Sequence, residues 1–333
     1  MKIVVTGASG FLGRAVKAEL VRRGHDDRRF NPVTGLAFSR STAALVQLDL
    51  NDSDATRRLL ENLKPHIVVH CAAERKPDVC ESTPEIARRL NVLASDNLAQ
   101  LSSSLEFALV YISTDYVFDG QAPLAGYDVD DKPNPTNLYG HTKLDGEKAV
   151  LEQRRTKGAR ATVLRIPVLY GPVHSNSESA INCLLDVVQD SAKQHKAAKM
   201  DDWAARYPTN TVDIARVVAD LAALSLKRPL PPILHYSAQQ RFTKYDISKL
   251  FASAHSPPLA LDPEFFTRDT AGPQPGDTVR PRDCHLSNSL RPSNLPETRA
   301  VPQRALEELG IECVPTQTFE DWSSAFVREA QRT

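Results

Sequence analysis

A phenol, an ammonium and a hydroxyl stand close enough in this chain to move a proton. Tyr139 and Lys143 are four residues apart, and an apolar run ending in Ser113, Thr114 and Asp115 precedes them. Residues four apart share one face of a helix. A free tyrosine has a pKa near ~10, and a neighbouring ammonium favours the phenolate and lowers that value. Tyr139 then serves as general acid to a carbonyl oxygen while a nicotinamide delivers hydride to its carbon. In this scheme Lys143 bonds the nicotinamide ribose, Thr114 holds the substrate oxygen and Asn91 supports a water in the proton relay. The Tyr-x-x-x-Lys pair alone is common on exposed helices, so the elements that position it decide its meaning.

The chain opens with a short apolar run, Lys2 to Thr6, suited to a buried parallel strand. Glycines follow at positions 7, 10 and 13, and Arg14 to Arg23 continues as a helix. Gly7 permits the tight turn, Gly10 lets backbone amides approach a pyrophosphate, and Gly13 lets the helix pack close to the sheet. The anion rests on the helix N-terminus. A plain glycine-rich turn is the bland alternative, and the strand before and helix after favour a dinucleotide site. Val33 to Phe38 reads as the second strand, ending in Phe38, Ser39 and Arg40. An acid at that tip binds the free 2′-hydroxyl of an NAD ribose, whereas a guanidinium suits the 2′-phosphate of NADP. Asp26 and Asp27 come too early to be that acid, and Arg14 adds a second positive charge, so NADP is preferred over NAD.

The third strand spans Val46 to Leu50, with Asp49 and Leu50 at the adenine end, and Pro65 stops the helix from Asp52 to Leu63. The fourth strand, from Ile67, exits through Cys71, Ala72 and Ala73, whose small side chains leave room for a cofactor, with Arg75 within reach. Thr83, Pro84 and Glu85 start a helix that runs to about Ser103 and carries Asn91. Phe107 to Ile112 and Ala161 to Ile166 are the fifth and sixth strands. This alternation predicts an α/β fold, a Rossmann-type doubly wound parallel sheet with right-handed crossovers. Ligands then lie beyond the carboxyl ends of the strands, at Gly7, Ser39, Arg40, Cys71, Thr114 and Leu169. Residues 1–172 form the nucleotide-binding core, and 173–333 a smaller region packed on it and partly interleaved with it. That region is proline-rich, with 13 of the 23 prolines after residue 228, and so reads as loop-rich. Helices are expected at 178–190, 211–226, 243–254 and Phe319 to Gln331, with mostly loop over 256–304.

Acids and bases balance at 41 each, which gives no general attraction to nucleic acid or an anionic membrane. No apolar run approaches the roughly 20 residues of a membrane span. The first residues turn at a glycine and read as a strand, not a signal peptide. The five cysteines are scattered without Cys-x-x-Cys spacing, so free thiols in a reducing compartment are expected, with no metal site and a cytoplasmic location.

Together these residues resemble the extended short-chain dehydrogenase/reductase superfamily. Ser113 to Gly120 and Leu138 to Lys148 are similar to the dTDP-4-dehydrorhamnose reductases. A closer resemblance is to the regulatory beta subunits of methionine adenosyltransferase, non-catalytic relatives of those reductases. It is carried by His70 to Val79, Leu138 to Leu151, Leu164 to Gly171, Met200 to Thr209 and Arg280 to Arg282. The resemblance implies NADP contacts from Ser9, Gly10, Phe11, Leu12, Phe38, Ser39, Arg40, Asp49, Leu50, Cys71, Arg75, Tyr139 and Leu169. It also implies a partner, the methionine adenosyltransferase catalytic subunit, and a role in tuning S-adenosylmethionine synthesis. Two positions depart from the reductases: Val168 stands where they have tryptophan, and Arg206 where they have glycine. Both changes reshape the sugar side, and the C-terminal residues 305–333 do not align readily with the beta subunits. The alternative is an active NADPH-dependent reductase of a sugar nucleotide or other carbonyl substrate, using Thr114, Tyr139, Lys143 and Asn91. Tyr139 and Lys143 serve cofactor binding under either reading.

Overall fold

The computed structural model describes residues 1–27, 30–39, 43–287 and 306–332. Its centre is β1 (Ile3–Thr6), whose four residues are all buried. The Gly-containing turn leads into α1 (Phe11–Asp27), which begins three residues before the expected Arg14 and takes Gly13 into its first turn. Then come β2 (Val33–Ala37), β3 (Leu45–Gln47), α2 (Ser53–Leu63) and β4 (Ile67–His70). Asp52 caps α2 by accepting from the Ala55 amide, and Lys64 closes it in a left-handed conformation before Pro65.

The single helix expected from Thr83 to Ser103 is instead α3 (Pro77–Ser82), α4 (Pro84–Arg88), a π-helical turn at Arg89–Leu93, and α5 (Ala94–Ser104). Next are β5 (Ala108–Thr114), α6 (Leu138–Lys157), β6 (Arg160–Ile166) and β7 (Leu169–Tyr170). The rest comprises α7 (Leu184–Gln194), β8 (Ala198–Asp201), β9 (Thr209–Asn210), α8 (Thr211–Ser225), β10 (Ile233–His235), α9 (Lys244–Ala254), β11 (Phe266–Asp269) and α10 (Phe319–Ala330).

Seven strands form one sheet in the order β10-β6-β5-β4-β1-β2-β3, every neighbouring pair parallel. The chain runs outward from β1 through β2 to β3, then returns to the other side of β1 and runs outward again. The reversal between β1 and β4 is where such sheets open a ligand crevice at their carboxyl ends. The strands are apolar without alternation because helices cover both faces. On one face α1 and α8 pack through Val16 and Leu20 against Val217, Val218 and Leu221. On the other, Leu60, Leu98, Leu101 and Val150 bring in α2, α5 and α6. Strand β10 and helix α8, both beyond residue 172, thus belong to the sheet layer. A separate cluster joins α7, α9 and α10 through Leu185, Phe251, Phe319 and Trp322. Among the described residues no helix is long and apolar enough to cross a membrane. The five cysteines are free thiols.

Candidate functional site

The turn after β1 is built so that only glycine fits at two of its positions. Gly7 has φ of 64°, and a Cβ there would lie 2.8 Å from the Ala72 amide nitrogen. A Cβ on Gly13 would lie 2.2 Å from the Gly7 carbonyl oxygen. The helix therefore sits directly on the loop, with Phe11 and Leu12 buried at its start. Ser9 turns its carbonyl to the Arg14 side chain at 3.0 Å. Arg14 was expected to add a second positive charge on the cofactor side. Instead Glu178 engages its guanidinium through two bonds of 3.0 and 2.5 Å. The Arg14 hydrogen bonds hold the Glu178 carboxyl below its ordinary pKa.

The other nucleotide-side residues line the carboxyl edge of the sheet. Phe38, just past β2, is 63% exposed, an open aromatic face at the strand tip, with Ser39 exposed beside it. Arg40 lies outside the described residues. Asp49 accepts from the Asn51 amide and side chain, each at 2.9 Å, and Leu50 is buried beneath it. Cys71 follows β4, and burial pushes its thiol up to about 12, against the opposing charge of Lys143. Arg75 donates to the Glu178 carbonyl at 2.7 Å. Leu169 in β7 accepts the Ser179 hydroxyl at 2.8 Å.

Helix α6 supplies the proton-transfer face. Asn137 caps it, accepting from the Gly140 amide at 2.9 Å while donating to the Val279 carbonyl at 2.8 Å. Tyr139, Lys143 and Glu147 follow at four-residue intervals on one face. Lys143 is 2% exposed; its Nζ donates to the Ile112 carbonyl at 2.8 Å and lies 4.0 Å from the Tyr111 ring centroid. Burial brings this ammonium down to about 7, against the negative fields of Glu147 and Cys71. The phenol of Tyr139 behaves opposite to expectation. Burial raises its pKa above the ordinary value, a hydrogen bond from Thr114 opposes that rise, and the Asp115 charge adds to it. Burial outweighs the lowering expected from Lys143, whose Nζ bonds the Ile112 carbonyl. Tyr116 meets Tyr139 edge-on, with ring centroids 6.0 Å apart.

Asn91 also departs from expectation. It lies in the π-helical turn, fully buried. Its Oδ1 accepts the Glu74 amide at 2.9 Å, and its Nδ2 donates to the Glu74 carbonyl and to Thr142 Oγ1, both at 3.0 Å. The side chain thus tethers the segment after β4 to α6, and its two donor protons are engaged within the protein, not by a relay water.

Glu147 and Asp115 matter here although sequence reasoning gave them no role, and Arg206 and Val168, noted only as departures from the reductases, take definite places. Glu147 forms a buried two-bond ion pair with Arg165 on β6, with contacts of 2.9 and 2.7 Å, and accepts the Ser113 hydroxyl at 2.5 Å. Asp115 is 7% exposed; burial raises its carboxyl to about 7, while the Thr114 hydroxyl at 3.0 Å and the charge of Arg206 oppose the rise. Arg206 is 5% exposed and donates to the carbonyls of Ala205 and Pro281 at 2.7 and 3.3 Å. Its Nη2 has no hydrogen-bond partner, with Asp201 at 3.8 Å in a loose ion pair. Val168 packs against the α7–α9–α10 cluster. Position 206 therefore places a buried cation near Asp115 and Tyr116.

Residues 1–298 match the family described as the RmlD substrate binding domain. Methionine adenosyltransferase 2 subunit beta of Mus musculus is 44% identical over 314 residues, covering 93% of this chain and 86% of that relative. The chain belongs to this beta-subunit family. The Xenopus tropicalis beta subunit is 43% identical, over 82% of this chain and 79% of the relative. Among solved structures, the dTDP-4-dehydrorhamnose reductase of Bacillus anthracis, in complex with NADP, aligns with a TM-score of 0.73 and 23% identity over 98% of each chain. At that identity the likeness carries the doubly wound architecture and nothing finer. The beta-subunit family accordingly shares the reductase fold.

Proposed function

We propose that this chain is an NADP-binding, non-catalytic regulatory subunit of methionine adenosyltransferase that modulates S-adenosylmethionine synthesis in the cytoplasm. The observation that carries this reading is the identity to proteins named as beta subunits, sustained over most of their length. The catalytic subunit is the partner that the name implies. The crevice residues fit a dinucleotide: Gly7 and Gly13 let β1, α1 and the segment after β4 approach backbone to backbone at the carboxyl edge, and Phe38 offers an open face at the β2 tip. When bound, NADP supplies a nicotinamide capable of hydride transfer. The chain's own residues hold it: the α1 N-terminus meets the pyrophosphate, Arg40 the 2′-phosphate, and Tyr139 and Lys143 the nicotinamide ribose.

The test is to mix the purified chain with a methionine adenosyltransferase catalytic subunit. Co-elution at micromolar concentration with altered kinetics of S-adenosylmethionine formation is expected, and two independent peaks with unchanged kinetics would sink the proposal. Arg40→Ala is expected to weaken NADP more than NAD, and equal losses would remove the 2′-phosphate assignment. The Thr114–Tyr139 contact favours one second reading, a carbonyl reductase. The raised phenol pKa weighs against that reading, as does the buried Arg206 near Asp115 and Tyr116. NADPH oxidation with a carbonyl panel, abolished by Tyr139→Phe, would establish it.

A further inference from the structure

Arg14 in the first turn of α1 and Arg75 after β4 are both tied to a residue from the far side of the crevice. Glu178 follows β7, which continues from the carboxyl end of β6. Arg14 follows β1, and the sheet order places β5 and β4 between β6 and β1. With neighbouring strands about 4.8 Å apart, β6 and β1 are separated by roughly 14 Å. A chain that leaves β6 and bonds to the loop after β1 must cross the carboxyl ends of β5 and β4, which is the mouth of the crevice.

The segment is anchored differently on its two sides. On the β7 side Ser179 Oγ donates to the Leu169 carbonyl at 2.8 Å, and Asn182 Nδ2 donates to the Gly171 carbonyl at 3.0 Å. The His174 amide donates to Glu178 Oε2 at 3.1 Å and folds the segment on itself. Across the mouth, the Glu178 carboxylate takes both Arg14 nitrogens, at 3.0 and 2.5 Å, and its carbonyl takes Arg75 at 2.7 Å. The Arg14 and Glu178 side chains are 23% and 15% exposed, so salt reaches the pair but water does not dominate it.

We propose that residues 172–180 are a strap over the dinucleotide crevice, that Glu178 is its latch, and that the cofactor enters and leaves only when the Arg14–Glu178 pair opens. This rests on the cofactor reading above and adds its regulation. A strap pinned on one side by neutral bonds and held on the other by charge opens as a hinge. It slows exchange in both directions and leaves the binding equilibrium nearly unchanged. Such a device suits a protein that retains its nucleotide more than one that releases it every cycle.

The experiment uses the full chain and NADPH as probe, with Glu178→Gln and the one-methylene-shorter Glu178→Asp. Amide hydrogen exchange over 173–178, measured without nucleotide, is expected to rise in Glu178→Gln. Loss of a charge-assisted pair of this kind should speed NADPH release and association each by about 10-fold, with Kd changing less than about threefold. Glu178→Asp should lie between. Raising ionic strength should accelerate release more from the wild type than from Glu178→Gln, since only the wild type loses the latch as well as the phosphate contacts. If NADPH binds both proteins and leaves them at equal rates, the latch is wrong and the cofactor reading stands. If exchange rises but neither protein binds NADPH, the cofactor reading fails and the proposal falls with it.

Discussion

Replacing Lys143 with methionine should make the nucleotide-free protein more stable, and by an amount that depends on pH. The wild-type ammonium is 2% exposed, and burial takes it from an ordinary 10.5 to about 7. Between those values the unfolded chain holds a proton that the folded chain does not. Stability therefore rises as pH climbs through that window, and the penalty is fully present below about pH 7. At ~1.4 kcal/mol per pH unit, the full penalty is of order 5 kcal/mol. Two interactions offset it. Losing the bond to the Ile112 carbonyl costs about 1–3 kcal/mol, and losing the ammonium over Tyr111 about 1 kcal/mol. Methionine matches the length and adapts to the cavity. The net expectation below pH 7 is a gain of about 1–3 kcal/mol, or a few degrees in Tm for a chain of this size.

The assay is urea unfolding of wild type and Lys143→Met at several values between pH 6 and 10. The mutant's advantage should shrink steadily above pH 7 and reverse near pH 10, where the lost contacts are no longer offset. A stability difference that stays constant across the range would refute the reasoning, because it would mean that Lys143 keeps its charge when buried. The same variant should bind NADPH more weakly. If the ribose restores a partner to the ammonium, wild-type binding at pH 8.5 should take up a proton, seen as a buffer-dependent heat.

Gly13→Ala forces a Cβ to within 2.2 Å of the Gly7 carbonyl, whereas at Gly10 the same contact is 3.1 Å. Denaturation midpoints should fall sharply for Gly13→Ala and mildly for Gly10→Ala, and equal losses would argue against the close helix seat. Arg165→Met leaves Glu147 buried without its partner and should cost about 3–5 kcal/mol, most of it recovered when Glu147 also becomes methionine. Failure of the double variant to recover in thermal melts would mean that the pair does more than neutralise itself. Asn91→Leu removes the partners of the Glu74 amide and carbonyl, at about 1–3 kcal/mol for each buried group left unpaired. Hydrogen exchange over residues 72–76 should rise, and unchanged exchange would show that the tether is dispensable.

The sheet was legible because its signals are local. Four-residue apolar runs bounded by glycine or proline place β1 and β4, and the Tyr-x-x-x-Lys spacing marks α6. Polar contacts between distant residues were not legible. Glu178 is 164 positions from Arg14, and nothing around either arginine or acid marks them as partners. Asn91 reads as an ordinary mid-helix residue until the π turn at Arg89–Leu93 rotates it toward Glu74 and Thr142. The short strand β10 hides among prolines, since three residues show no periodicity. Arg206 was noticed as a departure, but its burial beside Asp115 required the fold.

The face of α6 explains why a reductase-like constellation can persist in a regulatory subunit. Tyr139, Lys143 and Glu147 occupy one stripe, and two of the three hold the helix to the sheet. Glu147 binds Arg165 on β6 and Ser113 on β5, and Lys143 binds the β5 carbonyl of Ile112 above the Tyr111 ring. Removing Lys143 would change how α6 seats on β5 whether or not any substrate is ever reduced. Lys143 makes contacts within the protein that need no substrate, so its presence cannot by itself argue for catalysis. Discrimination lies on the other side of the phenol. There the resemblance to the reductases implies a glycine where this chain has Arg206, whose Nη1 donates to two backbone carbonyls and whose Nη2 has no hydrogen bond. A neutral sugar reaching the Asp115–Tyr116 side would meet that buried charge, and accommodating it would require the arginine to move.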